Sequence, residues 1–257
     1  MSTSEFSSLA GNDYPEFGRY MIKEELVMNL PSQKITCRQL NDNSFSYKRE
    51  SFGEEIVRKI IHPKTADFQI GLMPILPIHT PTYKTDFFFI RFNEQIYISQ
   101  NSSMEVIASF PIETGIFLVE EEHSGLIDGF SCDPVGTHFA LYGNPEEGKL
   151  CKYARIELES PTIQQLFMHA QMKIKIVNES DEGVFVGKLV FPVTDHDLHF
   201  HKTNVMMDGL DAIIKNRIGV RVIDMVQNPI TGIEGWKKAI RDTQKTDYKF
   251  SMERGFD

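Results

Sequence analysis

A chain of 257 residues, 41% of them hydrophobic and 25% charged, is long enough to bury a substantial core as one large or two small domains. Thirty-six acidic residues against 27 basic ones leave a formal charge of −9, and no Lys/Arg run is longer than two, so the average field counts against nucleic-acid binding unless a local basic patch overrides it. Cys37, Cys132 and Cys151 are isolated and form no C-x-x-C pair, which argues against a zinc ribbon or a disulfide framework and for reduced thiols.

The first fifteen residues are polar and Ser-rich and read as a flexible tail. They lack a basic n-region and an apolar h-region, so no secretory signal is expected. No run approaches the roughly 18 apolar residues of a membrane span. A cytoplasmic protein without direct membrane insertion is the expectation, and the sequons at Asn101 and Asn178 are then without meaning.

From Gly18 the chain turns strand-like. Lys34 to Arg38 and Phe45 to Lys48 alternate polar and apolar residues around an Asn41-Asp42-Asn43 turn, which predicts a hairpin. Glu54 to Ile61 reads as a strand because of its β-branched content. Phe68 to Pro81 carries Pro74, Pro77 and Pro81, so an edge strand or extended crossing segment is predicted there. Phe87 to Phe92 is apolar on both faces, as between two packed layers. Gln95 to Ile98, Met104 to Phe110, Ile112 to Val119, Leu126 to Phe130 and Phe139 to Tyr142 follow as short strands. Spacings of about 8–12 residues point to a sandwich or barrel. Glu120-Glu121-Glu122 reads as a solvated loop tip.

Pro161 marks a candidate boundary, followed by a short helical patch over 162–170. Met172 to Asn178 alternates cleanly, turns through Asn178 to Gly183, and returns as its partner strand, Val184 to Val193. Leu198 to Met207 and Leu210 to Ile214 read as further strands. Near 231–243, Ile233, Trp236 and Ile240 make one apolar helix stripe, with Thr231 as N-cap and Glu234 as capping-box partner. Tyr248 to Met252 closes the chain as a strand. The fold expected is mainly β: two β-sandwich-like units of short antiparallel strands, over 16–160 and 161–257, with one C-terminal helix. A single large sandwich is the alternative.

Three places invite chemistry. On a strand, Asp195, Asp197, His199 and His201 share one face, with same-face neighbours roughly 6–7 Å apart. Carboxylate and imidazole are ligands for zinc or a similar divalent metal. The same alternation also describes a polar strand face whose other side, Leu198 and Phe200, packs inward. Cys151 can be a nucleophile if a hairpin brings His138 to it as base; otherwise it is a small buried residue. The loop Tyr142-Gly143-Asn144-Pro145-Glu146-Glu147-Gly148 offers Tyr142, Asn144, Glu146 and Glu147 to a cation or a sugar hydroxyl, although Asn-Pro and Gly are also ordinary turn chemistry. No dinucleotide fingerprint, P-loop, nucleophile elbow or H-E-x-x-H helix is present.

From about Tyr20 to Phe256 the chain resembles the archaeal domain-of-unknown-function family 432. The resemblance rests on Phe110-Pro111-Ile112-Glu113-Thr114-Gly115-Ile116-Phe117, on Ala140-Leu141-Tyr142-Gly143-Asn144-Pro145 with Gly148, and on Cys151-Lys152-Tyr153. The turn at Asn178 to Gly183 and the ending Lys249 to Phe256 also carry it. The family pattern has Arg where this chain has Lys152 and an aromatic where it has Ala154, so the resemblance gives Lys152 no special role. It implies an archaeal cytoplasmic protein of unassigned activity, with a possible link to a small mechanosensitive channel. The stretch from Phe110 to Tyr153 thus reads as a β core without recognisable chemistry. A non-catalytic binding or interaction module with a protein partner and no cofactor is the leading expectation. A metal-dependent hydrolase-like enzyme centred on 195–201 is the alternative.

Overall fold

The computed structural model describes residues 14–41, 43–80, 84–121, 123–133, 138–144, 146–156, 165–218 and 220–241. Its strands in chain order are β1 (Gly18–Tyr20), β2 (Glu25–Asn29), β3 (Gln33–Asn41), β4 (Ser44–Ser51), β5 (Glu54–Ile61), β6 (Gln69–Ile75), β7 (Phe87–Ile98), β8 (Ser102–Pro111) and β9 (Glu113–Val119). There follow β10 (Ser124–Phe130), β11 (His138–Tyr142), β12 (Lys149–Ile156), β13 (His169–Asn178), β14 (Val184–Pro192), β15 (Leu198–His201), β16 (Asn204–Arg217), β17 (Val220–Asn228) and β18 (Lys237–Lys238). The fold is mainly β, as the alternation predicts, and its strands form four sheets.

The first sheet is the meander β2-β3-β4-β5, which contains the predicted hairpin. It docks on the second sheet, β1-β6-β9-β10, through Asp128 at a bulge in β10. Asp128 Oδ2 accepts bonds from the Tyr47 hydroxyl and Arg49 Nε, both at 2.7 Å. The third sheet runs β11-β12-β7-β14, and the fourth runs β18-β15-β16-β13-β8 with β17 beside β16. Two pairs in them, β12 with β7 and β13 with β16, are parallel.

The consecutive strands β7 and β8 lie in different sheets, and so do β13 and β14, so Val184 to Val193 pairs with β7 and not, as expected, with the strand before it. Such a split sets the third and fourth sheets face to face. Phe88 from β7 meets Phe110 from β8 at 4.4 Å between centroids, and Phe191 from β14 closes the cluster. Each fully buried aromatic of this kind contributes about 1.5–3 kcal/mol. Residues 157–164, which include the Pro161 boundary candidate, lie outside the described residues, and strands from either side of them share both sheets.

One corner positions the site. β8 and β9 are a single run broken at Pro111 and Ile112. Before the break the chain pairs with β13, and after it with β6 and β10. Proline has no N–H for the ladder, so it suits the point where a strand changes sheets. The Ile112 N–H is taken up by the Met168 carbonyl at 2.9 Å. Glu113 is therefore the first residue past the corner, on a strand that both neighbours cover.

Three expectations are corrected. No helix forms over the described part of 231–243. Gly232 and Gly235 have φ of +71° and +81°, outside the right-handed helix, and Lys237 and Lys238 pair with Phe200 and His199 as β18. The helical patch over 162–170 is, in its described part, a turn in which Phe167 is buried at φ +65° before β13 starts at His169. The proline-punctuated β6 lies inside its sheet, between β1 and β9. Pro74 is accommodated because β1 stops at the level of Leu72 and leaves the end of β6 uncovered on that side. The predicted strand at 248–252 lies outside the described residues.

Candidate functional site

The corner after Pro111 places a carboxylate where the chain is otherwise apolar. Glu113 is 2% exposed, and so is Lys152, which points inward from β12 beside Phe88 of β7. Their charged ends meet, with Lys152 Nζ 2.8 Å from Glu113 Oε1. Lys152 also donates to the Thr80 carbonyl at 2.8 Å. Glu113 accepts the backbone N–H of Thr80 on Oε1 at 3.1 Å and that of His79 on Oε2 at 2.8 Å. The His79 ring lies against the same carboxylate, with Nδ1 3.0 Å from the Leu76 carbonyl. Carboxylate and ammonium thus tie β9 and β12 to the segment that leaves β6.

Charges are seldom buried without such partners, because desolvation costs several kcal/mol per ion. Burial pushes the Lys152 ammonium below the ordinary lysine value, and the Glu113 charge and hydrogen bond pull it back up. Two of the three ammonium protons have acceptors among the described residues.

The pair lines a pocket of about 150 Å³ at the edge of β12, past the end of β11. Asp133, His138, Arg155 and His169 supply its other charged or imidazole groups, over an apolar floor that includes Phe88 and Ile112. His169 Nδ1 is buried without a hydrogen-bond partner among the described residues. Burial pushes the His169 pKa down, and nearby Asp133 opposes it. Lys152 thus faces the cavity as a donor beside the Glu113 and Asp133 carboxylates, while Arg155, on the opposite face of β12, lies at its rim.

The sequence candidates fall elsewhere. Asp195 ends a short 3-10 turn, Val193–Asp195. Asp197 lies between Lys238 Nζ at 2.6 Å and Arg241 at 3.0 Å. His199 points to Asp208 at 3.3 Å, and His201 lies beside the Trp236 ring. Among the described residues there is no group of three or more His, Cys, Asp or Glu side chains that could hold a metal ion. The hub of this region is Asp208, 1% exposed, which the sequence reading passed over. Its oxygens accept from the N–H groups of Asp197 and Ile230 and from Gln227 Nε2. Burial opposes its ionisation, but those donors and His199 together hold its carboxyl below the usual range.

Cys151 pairs with Ala140 across the β11–β12 ladder, whereas His138 pairs with Tyr153. The Cys151 thiol is pushed up to about 11 by burial, with Lys149 opposing, so it is protonated at neutral pH. In the loop, Asn144 Oδ1 accepts the N–H groups of Glu146 and Glu147, and the Asn144 carbonyl accepts that of Gly148. Asn144 is thus spent on the turn. Tyr142 is 40% exposed, with Lys188 Nζ 5.4 Å from its ring centre.

Glu113 had a signal in the sequence. It is one charge in a run, Phe110 to Phe117, that is apolar on both faces, and a charge there needs a partner. Lys152 had none, since its partner is on another sheet.

No curated protein and no solved structure matches the chain. The sequence profile of the family described as protein of unknown function (DUF432) matches residues 16–256, so the chain belongs to that family.

Proposed function

We propose that this chain is a binding module that takes a small polar ligand in the pocket beside Glu113 and Lys152. The supporting observation is a fully buried ion pair at a cavity wall, with one ammonium proton of Lys152 not taken by a described acceptor. Structure alone rarely justifies burying two charges, because well-packed apolar residues do as well or better. A site that must recognise a polar ligand does justify it, because the charges are already desolvated and aimed. The cavity is below the roughly 300–1,000 Å³ of drug-sized sites. Its occupant is therefore a small metabolite with a carboxylate or phosphate for Lys152, with Arg155 at the rim, and a donor for Asp133.

The test is a thermal-shift panel of small carboxylates, amino acids and phosphates, run on the wild type and on Arg155→Ala. Arg155 is exposed, so its removal leaves the core intact. The reading expects at least one compound to raise Tm in the wild type and to do so less in the variant. No stabilising compound, or equal stabilisation of both proteins, would overturn it.

A further inference from the structure

The outer face of the β11-β12-β7-β14 sheet carries a second feature, which meets the Lys152 pocket at Arg155. Arg155 of β12 lies in register with Arg91 of β7, and Arg91 lies in register with Lys188 of β14. Partners in register share a face, so three cations stand side by side across three strands. All three are exposed, and none is in an ion pair among the described residues. Like charges directly opposite one another destabilise a sheet. No Asp or Glu is among the described residues that line the groove beside this row, although the chain has 36 acidic residues.

The next row is aromatic. Phe89 meets Tyr153 at 5.4 Å and Tyr142 at 5.7 Å, both edge to face. Beyond it a groove of about 550 Å³ opens along the sheet, bounded by Arg91, Lys188, Tyr142 and Phe185. Phe185 is 67% exposed. The volume is in the range of small-molecule sites. Guanidinium groups match phosphate oxygens in bidentate fashion, and exposed rings stack on planar bases.

We propose that this groove binds an organic phosphate bearing a planar ring, the chemistry of a nucleotide, with the phosphates on the Arg91–Lys188 row and the ring against Tyr142 and Phe185. The source of that nucleotide is either free in solution or a unit of a single strand.

The probes are adenosine triphosphate, inorganic pyrophosphate and a short single-stranded oligonucleotide, titrated by calorimetry at two salt concentrations. Arg155 also lines the Lys152 pocket and is left unchanged, so failure here is distinguishable from failure there. The wild type binds pyrophosphate and the triphosphate, each more weakly at high salt. Arg91→Glu/Lys188→Glu loses about ten-fold or more in affinity for both. Tyr142→Ala weakens the triphosphate and leaves pyrophosphate unchanged. An oligonucleotide that binds more than about ten-fold tighter than the triphosphate assigns the site to a strand, and the reverse order assigns it to the free nucleotide. Both orders support the proposal. It is overturned if the folded wild type binds neither triphosphate nor oligonucleotide, if the double charge variant binds as the wild type does, or if Tyr142→Ala leaves triphosphate affinity unchanged. Near-ultraviolet circular dichroism confirms that the variants are folded, and Arg91→Gln replaces the double variant if that one is not.

Discussion

Replacing Lys152 with methionine removes the ammonium from a carboxylate that is 2% exposed. Glu113 then keeps the backbone N–H groups of His79 and Thr80, at 2.8 and 3.1 Å, with the His79 ring nitrogen 3.5 Å away. Removing one partner of a buried ion pair typically costs about 3–5 kcal/mol, because an uncompensated charge stays behind. A domain's whole stability is roughly 5–15 kcal/mol, so Lys152→Met forfeits a large share of it. Adding Glu113→Gln removes the stranded charge. The amide oxygen still accepts one backbone N–H, so the remaining cost is nearer about 1–3 kcal/mol. The double variant should therefore be more stable than Lys152→Met alone, with a coupling energy of about 2 kcal/mol. Urea denaturation followed by circular dichroism reads this as a shift in the midpoint at constant slope. A single variant that loses less than about 1 kcal/mol, or a double variant whose loss equals the sum of the two singles, would refute the burial argument.

Other outcomes follow from the same reasoning. Burial holds His169 and His196 below the ordinary histidine value, so the unfolded chain binds more protons than the fold as pH drops below about 6.5. Stability should fall with pH through that window, and His169→Gln/His196→Gln should flatten the slope of the urea midpoint against pH; an unchanged slope argues against it. Burial pushes the Cys37 and Cys132 thiols up to about 12, and Cys151 to about 11, so native protein at pH 7 should resist iodoacetamide until denaturant is added. Labelling of any of them at the rate of a free thiol contradicts this. His199→Ala should lower stability by about 1 kcal/mol, since Asp208 loses the imidazole that faces it at 3.3 Å, and the loss should be the same with or without added zinc. A loss that appears only when zinc is present would restore the metal reading of the 195–201 segment.

How much of this was legible in the sequence depended on how far apart the interacting residues lie. Period-two alternation revealed β3, β4, β13 and β14, because each strand carries its own signal. The C-terminal helix failed because Ile233, Trp236 and Ile240 do fit a helix stripe, while two glycines at positive φ and an open edge on β15 decided otherwise. The Asp195-to-His201 cluster looked like chemistry because it was compact in sequence. Asp197 is taken up by Lys238 and Arg241, and His199 faces Asp208, all of which lie on other segments. Glu113 and Lys152 looked structural for the opposite reason: 39 positions separate them, and only the corner at Pro111 and the parallel β12–β7 pairing bring them together. The basic row was hidden in the same way. The longest Lys/Arg run in the sequence is two residues, but Arg155, Arg91 and Lys188 are collected from three strands.

The binding account meets its most direct test at the Lys152 ammonium itself. Nitrogen-15 labelled lysine would let its Nζ signal be followed while the compounds that raise Tm are titrated. The account predicts a saturable shift at Lys152, with Lys173 and Lys202, which lie outside the pocket, unmoved. A stabilising compound that leaves Lys152 unchanged and perturbs another lysine would contradict it.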